Sequence, residues 1–383
     1  MIPVLYSNGS GANYRDGFGL GMLPDCESCH VVEERNGTYY LEMTYPVGGT
    51  NWERFQTGYL IKAVPSDGGG EQLFRINSVR QLLTGRLEIT AEHVSAHAQY
   101  VIVSPFSGSY NCSGFISALS SHIVQVGYGS GYDPLGGLTL SAAGSSDTVR
   151  VNYSTPRTLR DALMGAQGAA TDIWGVEYEY GNYGFNIIAR TQNSPRGKTL
   201  TEGITYGVNM TNLDIERMIG GNYNAVYGYY YDEQTGTYVD SGSAPYCTQY
   251  QAMDKFPPRS IAVDFSGDYS DSVPTSNQLY DKAYAYAKAN GSAGPDFTAK
   301  VQFAPTWQSL DYATIADGAR INLCDTVPIT YEKYGITLTA KVIKTDFDVL
   351  TERYRSIEVG TAKKNLGKLL AQTAKSAGVS VYR

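Results

Sequence analysis

Asn36-Gly37 stands directly before Thr38-Tyr39-Tyr40-Leu41-Glu42-Met43-Thr44-Tyr45, a run of β-formers that alternates along the chain. Asn-Gly fills the two positive-φ positions of a tight hairpin turn, and alternation gives a strand one face for a core. The same pattern continues over residues 59–64, 73–79 and 86–91, cut by Gly68-Gly69-Gly70 and Thr84-Gly85. Runs this short with turns this frequent predict a small barrel or sandwich over residues 1–105. Composition agrees. Charged residues make up 17% of the chain against roughly 25% in ordinary soluble domains, and 42 Gly and 32 Tyr fill the gap. Gly supplies tight turns, and Tyr suits strands and half-buried surfaces.

The period then changes. Phe115, Ile116 and Leu119 have helical spacing, and Thr155-Pro156 reads as a helix start with Leu159, Ala162, Leu163 and Ala166 on one face. Trp174 opens a hairpin that turns at Gly181-Asn182. Residues 106–196 thus read as an α+β insertion. Residues 198–212 and 225–231 return to strand, and 197–257 are assigned to the first part of a second β-barrel. Within 258–315, a strand over 260–265 is followed by a helix capped by Thr275 or Ser276, with Leu279, Ala283 and Ala287 in line, and then a strand through Val301 and Phe303. Residues 316–360 complete the second barrel, with a hairpin over 336–344 and a strand over 354–359. Residues 361–383 form the last segment, read as a helix over 361–376 with Leu366, Leu369 and Leu370 on one side. The fold class expected is α+β, β-rich. Long irregular stretches near 122–150 and 232–258 exceed what a compact domain usually tolerates, so they are expected to hold further strands.

Most catalytic and metal motifs fail on spacing. Cys26-Glu27-Ser28-Cys29-His30 has the spelling of covalent haem attachment, a reaction that follows export, and Met1-Ile2-Pro3-Val4-Leu5-Tyr6 lacks the features of an export signal. The competing reading is a strand whose Cys26 and Cys29 point to opposite sides, unable to share a metal. His93 and His97 are spaced as on a metal-binding helix, but a strand would hold them ~13 Å apart. His93 is then expected to hydrogen-bond a turn. No Gly-x-Ser-x-Gly elbow occurs, and the Gly-rich runs at 17–21 and 127–131 lack the Lys-Ser/Thr of a phosphate loop. Asp264 with Asp268 and Asp346 with Asp348 are read as solvated acids. The five Cys are too few for a disulfide framework, and no run of about 18 apolar residues exists to span a membrane. No cofactor, metal or catalytic residue is assigned.

One cluster stands apart. Tyr223, Tyr227, Tyr229, Tyr230, Tyr231, Tyr238 and Tyr246 are too polar together for a dry core, and Tyr227, Tyr229 and Tyr231 share one face of a strand. Tyr223, Tyr227, Tyr229 and Tyr231, with Leu366, Leu369 and Leu370, are the candidate interface residues.

Several segments in order resemble a known family. They are Leu23-Pro24-Asp25 with residues 32–46, Gln72-Leu73-Phe74-Arg75-Ile76, Thr90-Ala91-Glu92-His93-Val94-Ser95, Leu159-Arg160-Asp161-Ala162-Leu163 with Trp174-Gly175-Val176-Glu177, Ile204-Thr205-Tyr206-Gly207-Val208-Asn209-Met210, and residues 348–354 with Ile357-Glu358-Val359-Gly360. Together they resemble the N-terminal structural region of the prophage tail endopeptidase, or tail-associated lysozyme, family, which is similar to the baseplate hub of contractile phages. The resemblance implies two like β-barrels per chain and a homotrimer forming a pseudo-sixfold ring. That ring would sit at the virion tail tip, between a distal tail or tail-tube protein and a spike or fibre. It would be made in the host cytoplasm. DNA would pass the lumen unbound, in keeping with a net charge of −7. The family's lytic domain is expected beyond this region, so the chain is read as a non-enzyme. Two alternatives stay open: a wall-cleaving endopeptidase or lysozyme, and a carbohydrate-binding adhesin.

Overall fold

A computed structural model describes residues 1–8, 14, 19–125, 133–165, 168–218, 225–232, 234–245, 259–269, 272–290, 296–303, 320–334 and 336–360. The chain is α+β and β-rich. It divides into two compact units, Met1–Asp214 with Ala299–Ala362, and Ile215–Thr298 with Lys363–Arg383.

The first β region holds β1 (Val4–Tyr6), β2 (Gly21–Met22), β3 (Ser28–Glu34), β4 (Tyr39–Pro46), β5 (Leu60–Ala63), β6 (Gln72–Gln81) and β7 (Arg86–His93). The turn between β3 and β4 uses Asn36 at φ 53°. Alternation decides the faces: Tyr39, Leu41, Met43 and Tyr45 are buried along β4 while Glu42 is exposed. With Phe74 and Ile89 they form one continuous apolar core.

The middle of the chain holds β8 (Ile102–Val103), β9 (Phe106–Tyr110), α1 (Cys112–Ser121), β10 (Thr139–Ala143), β11 (Val149–Tyr153), β12 (Arg157–Thr158), α2 (Leu159–Met164), α3 (Ala170–Trp174), β13 (Glu177–Gly181) and β14 (Asn186–Arg190). Asn111 caps α1 by accepting from the Gly114 amide. The α2 cap is Thr158 and not Thr155, because Arg157 and Thr158 are held extended by pairing with Val103 and Ile102. Phe115, Leu119, Tyr153, Leu163 and Trp174 fill a second core. Strands β10 and β11 occupy the stretch expected to hide strands.

The remaining elements are β15 (Ile204–Thr205), β16 (Met210–Met218), β17 (Ala225–Asp232), β18 (Thr237–Asp240), β19 (Ser260–Asp264), α4 (Ser276–Asn290), β20 (Asp296–Phe303), β21 (Thr326–Tyr331), β22 (Ile336–Asp348) and β23 (Arg353–Gly360). The hairpin expected over 336–344 is one 13-residue strand, β22, whose two halves pair with β21 and β3. The two β regions therefore join in one sheet, ordered β16-β20-β23-β22-β3-β4-β7-β6-β5-β1-β2. Bulges at Ile76/Ser78 and within β22–β23 bend it, since an extra residue on one strand raises local twist. No ladder among the described residues joins the two ends of this path.

In the second unit, β17 is the centre of a three-stranded sheet, antiparallel to β18 and parallel to β19. Helix α4 is capped reciprocally. Thr275 Oγ1 accepts from the Gln278 amide, and Gln278 Oε1 accepts from the Thr275 amide. Its Leu279, Ala283 and Ala287 stripe packs on Val226 and Tyr230, with Phe265 alongside. Gly228 lets the helix approach: a Cβ there would stand 3.1 Å from Ala283 Cβ and 3.0 Å from Phe265.

Candidate assembly surface

The strand alternation that buries Val226, Gly228 and Tyr230 under α4 sends Tyr227, Tyr229 and Tyr231 to the opposite face of β17. Register completes this face. Tyr231 lies opposite Tyr238, Tyr229 opposite both Asp240 and Asp264, and Tyr227 opposite Ala262. Tyr231 is 46% and Tyr238 53% exposed, while Tyr227 and Tyr229 are half-buried. The Tyr229 and Tyr238 rings lie 6.3 Å apart at an interplanar angle of 25°. The Tyr227 hydroxyl donates to Asp240, which raises the Tyr227 pKa and lowers that of the carboxylate. Asp240 also accepts from the Gly242 amide at 2.8 Å. Asp264 accepts from the Ser266 amide and hydroxyl at 2.8 and 2.5 Å. The strand positions of this face thus carry four tyrosines and two carboxylates and no Lys or Arg. Tyr223, Tyr246, Leu366, Leu369 and Leu370 lie outside the described residues.

A second feature escaped sequence reasoning. In the first unit, Arg196 donates to Glu33 Oε1 at 2.8 Å and to the Tyr178 carbonyl at 2.7 Å. Beside it, Glu177 forms ion pairs with Arg35 at 2.9 Å and with Lys341 at 2.6 Å. Asn36 binds the Val176 carbonyl and the Tyr178 amide, and Asp325 accepts from the Lys198 amide. Glu33 and Glu177 are almost fully buried. Burial opposes the charge on Arg196, but the attraction and hydrogen bond of Glu33, with smaller contributions from Cys324 and Tyr180, together hold the guanidinium above its usual range. This seam ties β3 and its turn to β13 and β22, across partners 140–164 positions apart by sequence. No local motif announces it.

The remaining candidate groups are occupied structurally. His93 caps a 3-10 helix over Val94–Tyr100, accepting from the Ser95 amide, with its Nε2 3.2 Å from Gln72. That segment is helical and not extended as expected. His97 faces the Pro134 carbonyl instead of His93. Burial, with Arg196 nearby, pushes the His93 pKa down to about 3, so the ring is neutral. Cys26 lies in a turn ahead of β3 and its thiol meets that of Cys29, so the two do not point apart as expected. Burial first, and then this contact, raise the Cys29 thiol well above its ordinary range. Asp346 binds His30 at 3.2 Å, and Asp348 accepts from the Leu350 and Thr351 amides. No group of three or more metal-ligating side chains is found among the described residues. A cavity of about 220 Å³ opens beside Arg196, yet the acids lining it are committed, Glu33 to Arg196 and Glu179 to Arg190.

No protein-family model matches the sequence, and no curated protein does. Solved structures do. A prophage tail protein from Listeria monocytogenes superposes with a TM-score of 0.62 at 14% identity, over 99% of this chain and 100% of that one. A tail protein from Neisseria meningitidis gives 0.58 at 11% identity over 96% and 98%. A 43 kDa prophage tail protein from Shewanella oneidensis gives 0.57 at 11% over 94% and 98%. The chain has the fold of these tail proteins along nearly its whole length.

Proposed function

We propose that the chain is a structural subunit of a phage tail-tip hub. In this reading three copies form a ring around the DNA channel and join the tail tube to a central spike or fibre. The observation that carries it is the full-length likeness in fold to three tail proteins. Two further features support it. The two β regions are edge-joined through β3 and β22 and stapled by buried ion pairs, which suits a rigid wall element that transmits load. The net charge of −7 suits a channel through which DNA slides without adhering.

In the proposed ring each copy supplies two like β-barrels, so threefold assembly imitates sixfold symmetry. In this reading the barrels are the β1–β7 region and the strands β15, β16 and β20–β23; β17 and β18, assigned to the second barrel by sequence, pair with β19 in a sheet of their own, so they count with 106–196 among the insertions. The tyrosine face serves as an assembly contact, because Tyr covers large areas at low entropic cost and keeps a polar tip for water when unpaired. Sedimentation velocity over a concentration series tests the reading. A species of three times the chain mass supports it; a monomer at every concentration, together with clearing of purified cell walls, overturns it in favour of a lytic enzyme.

A further inference from the structure

We infer that the tyrosine face of the β18-β17-β19 sheet is a docking site for the chain's own cationic segment, residues 361–383. This rests on that face being a contact surface, whether or not a ring forms, and it names the occupant.

The face and the segment match in charge and in ring chemistry. The face presents Tyr227, Tyr229, Tyr231 and Tyr238 around the carboxylates of Asp240 and Asp264, with no Lys or Arg at its strand positions. Both carboxylates are fixed, Asp240 by Tyr227 and the Gly242 amide and Asp264 by Ser266, so neither has to be ordered on binding. Aromatic faces beside fixed anions attract ammonium groups through the ring quadrupole and the full charge together. Residues 361–383 carry Lys363, Lys364, Lys368, Lys375 and Arg383 and no Asp or Glu. Leu366, Leu369 and Leu370 add apolar side chains to cover ring surface. A cationic, Leu-bearing segment fits this chemistry better than a neutral saccharide, which would leave the two carboxylates without counter-charge. Tethering to the same chain raises its effective concentration on the face.

Zero-length carbodiimide crosslinking of the full-length chain, followed by peptide mass spectrometry, tests this. Crosslinks from Lys363, Lys364, Lys368 or Lys375 to Asp240 or Asp264 are expected, reduced roughly five-fold or more between about 0.05 M and 0.5 M salt. In parallel, tetranitromethane should nitrate Tyr231 and Tyr238 several-fold faster when the four lysines are replaced by Gln. Absence of these crosslinks together with unchanged nitration overturns the inference. So does protection of the tyrosines by an added cell-wall glycan with the Gln variant behaving as wild type, which makes the face a saccharide platform. Crosslinks in a chain that sediments only as a monomer leave this inference standing and sink the ring. An intact ring without the crosslinks does the reverse.

Discussion

Arg196 and Glu33 meet at 2.8 Å across 163 positions of sequence, at side-chain exposures of 17% and 5%. A buried ion pair is weak evidence of net stability, since desolvation offsets most of the attraction. Removing one partner is another matter. Arg196→Ala strands a buried carboxylate and Glu33→Ala a buried guanidinium, and each should cost about 3–5 kcal/mol in urea unfolding of the first unit. The double change Arg196→Met with Glu33→Leu should recover most of that loss. Single variants within about 0.5 kcal/mol of wild type would remove the seam from the account.

Acid should weaken the fold through His93. Its ring is neutral when folded, with a pKa near 3. The unfolded chain takes up this proton near pH 6.5, so between those values the unfolded state binds more protons. Stability therefore falls as pH drops from about 6.5 towards 3, by an amount on the order of 5 kcal/mol from this group at full effect. His93→Gln should flatten that slope while lowering stability at neutral pH. Parallel pH profiles for the two chains would show that His93 is not responsible.

Gly228 sits where α4 crosses β17, and an added methyl meets Ala283, Phe265 and the Leu279 carbonyl. Gly228→Val should destabilise the second unit by about 1–3 kcal/mol through overpacking. Hydrogen exchange over residues 276–290 would read this as faster exchange, while the first unit's β4 and β7 amides stay unchanged. Protection equal to wild type on α4 would contradict the packing described.

The exposed Tyr231 and Tyr238 contribute little to the folded chain. Replacing both with Ser should change unfolding free energy by no more than about 0.5 kcal/mol and lower self-association or tail incorporation at least several-fold. A variant that unfolds easily yet assembles normally would mark the pair as a packing feature.

Much of this architecture is legible in the sequence, and the exceptions have one cause. Alternation placed β4, β7 and β17, and Thr275 or Ser276 ahead of Leu279, Ala283 and Ala287 marked the start of α4, because each signal lies within a few residues. The start of α2 moved to Thr158 because Arg157 and Thr158 pair with Ile102 and Val103, a constraint more than fifty positions away. The 13-residue β22 reads locally as a hairpin since its two halves serve different partners. The tyrosine face was legible from spacing alone, whereas Asp240 and Asp264 joined it only through strand register. The Glu33–Arg196 and Glu177–Lys341 pairs were invisible for the same reason: their partners lie on elements far apart in sequence, and single charges carry no period.

Cryo-electron microscopy of purified phage tails carrying this chain tests the hub most directly. Three copies around the channel at the tail tip, each presenting two like barrels to the lumen, are the expected result. Copies spread along the tube, or a single copy off the axis, would contradict it.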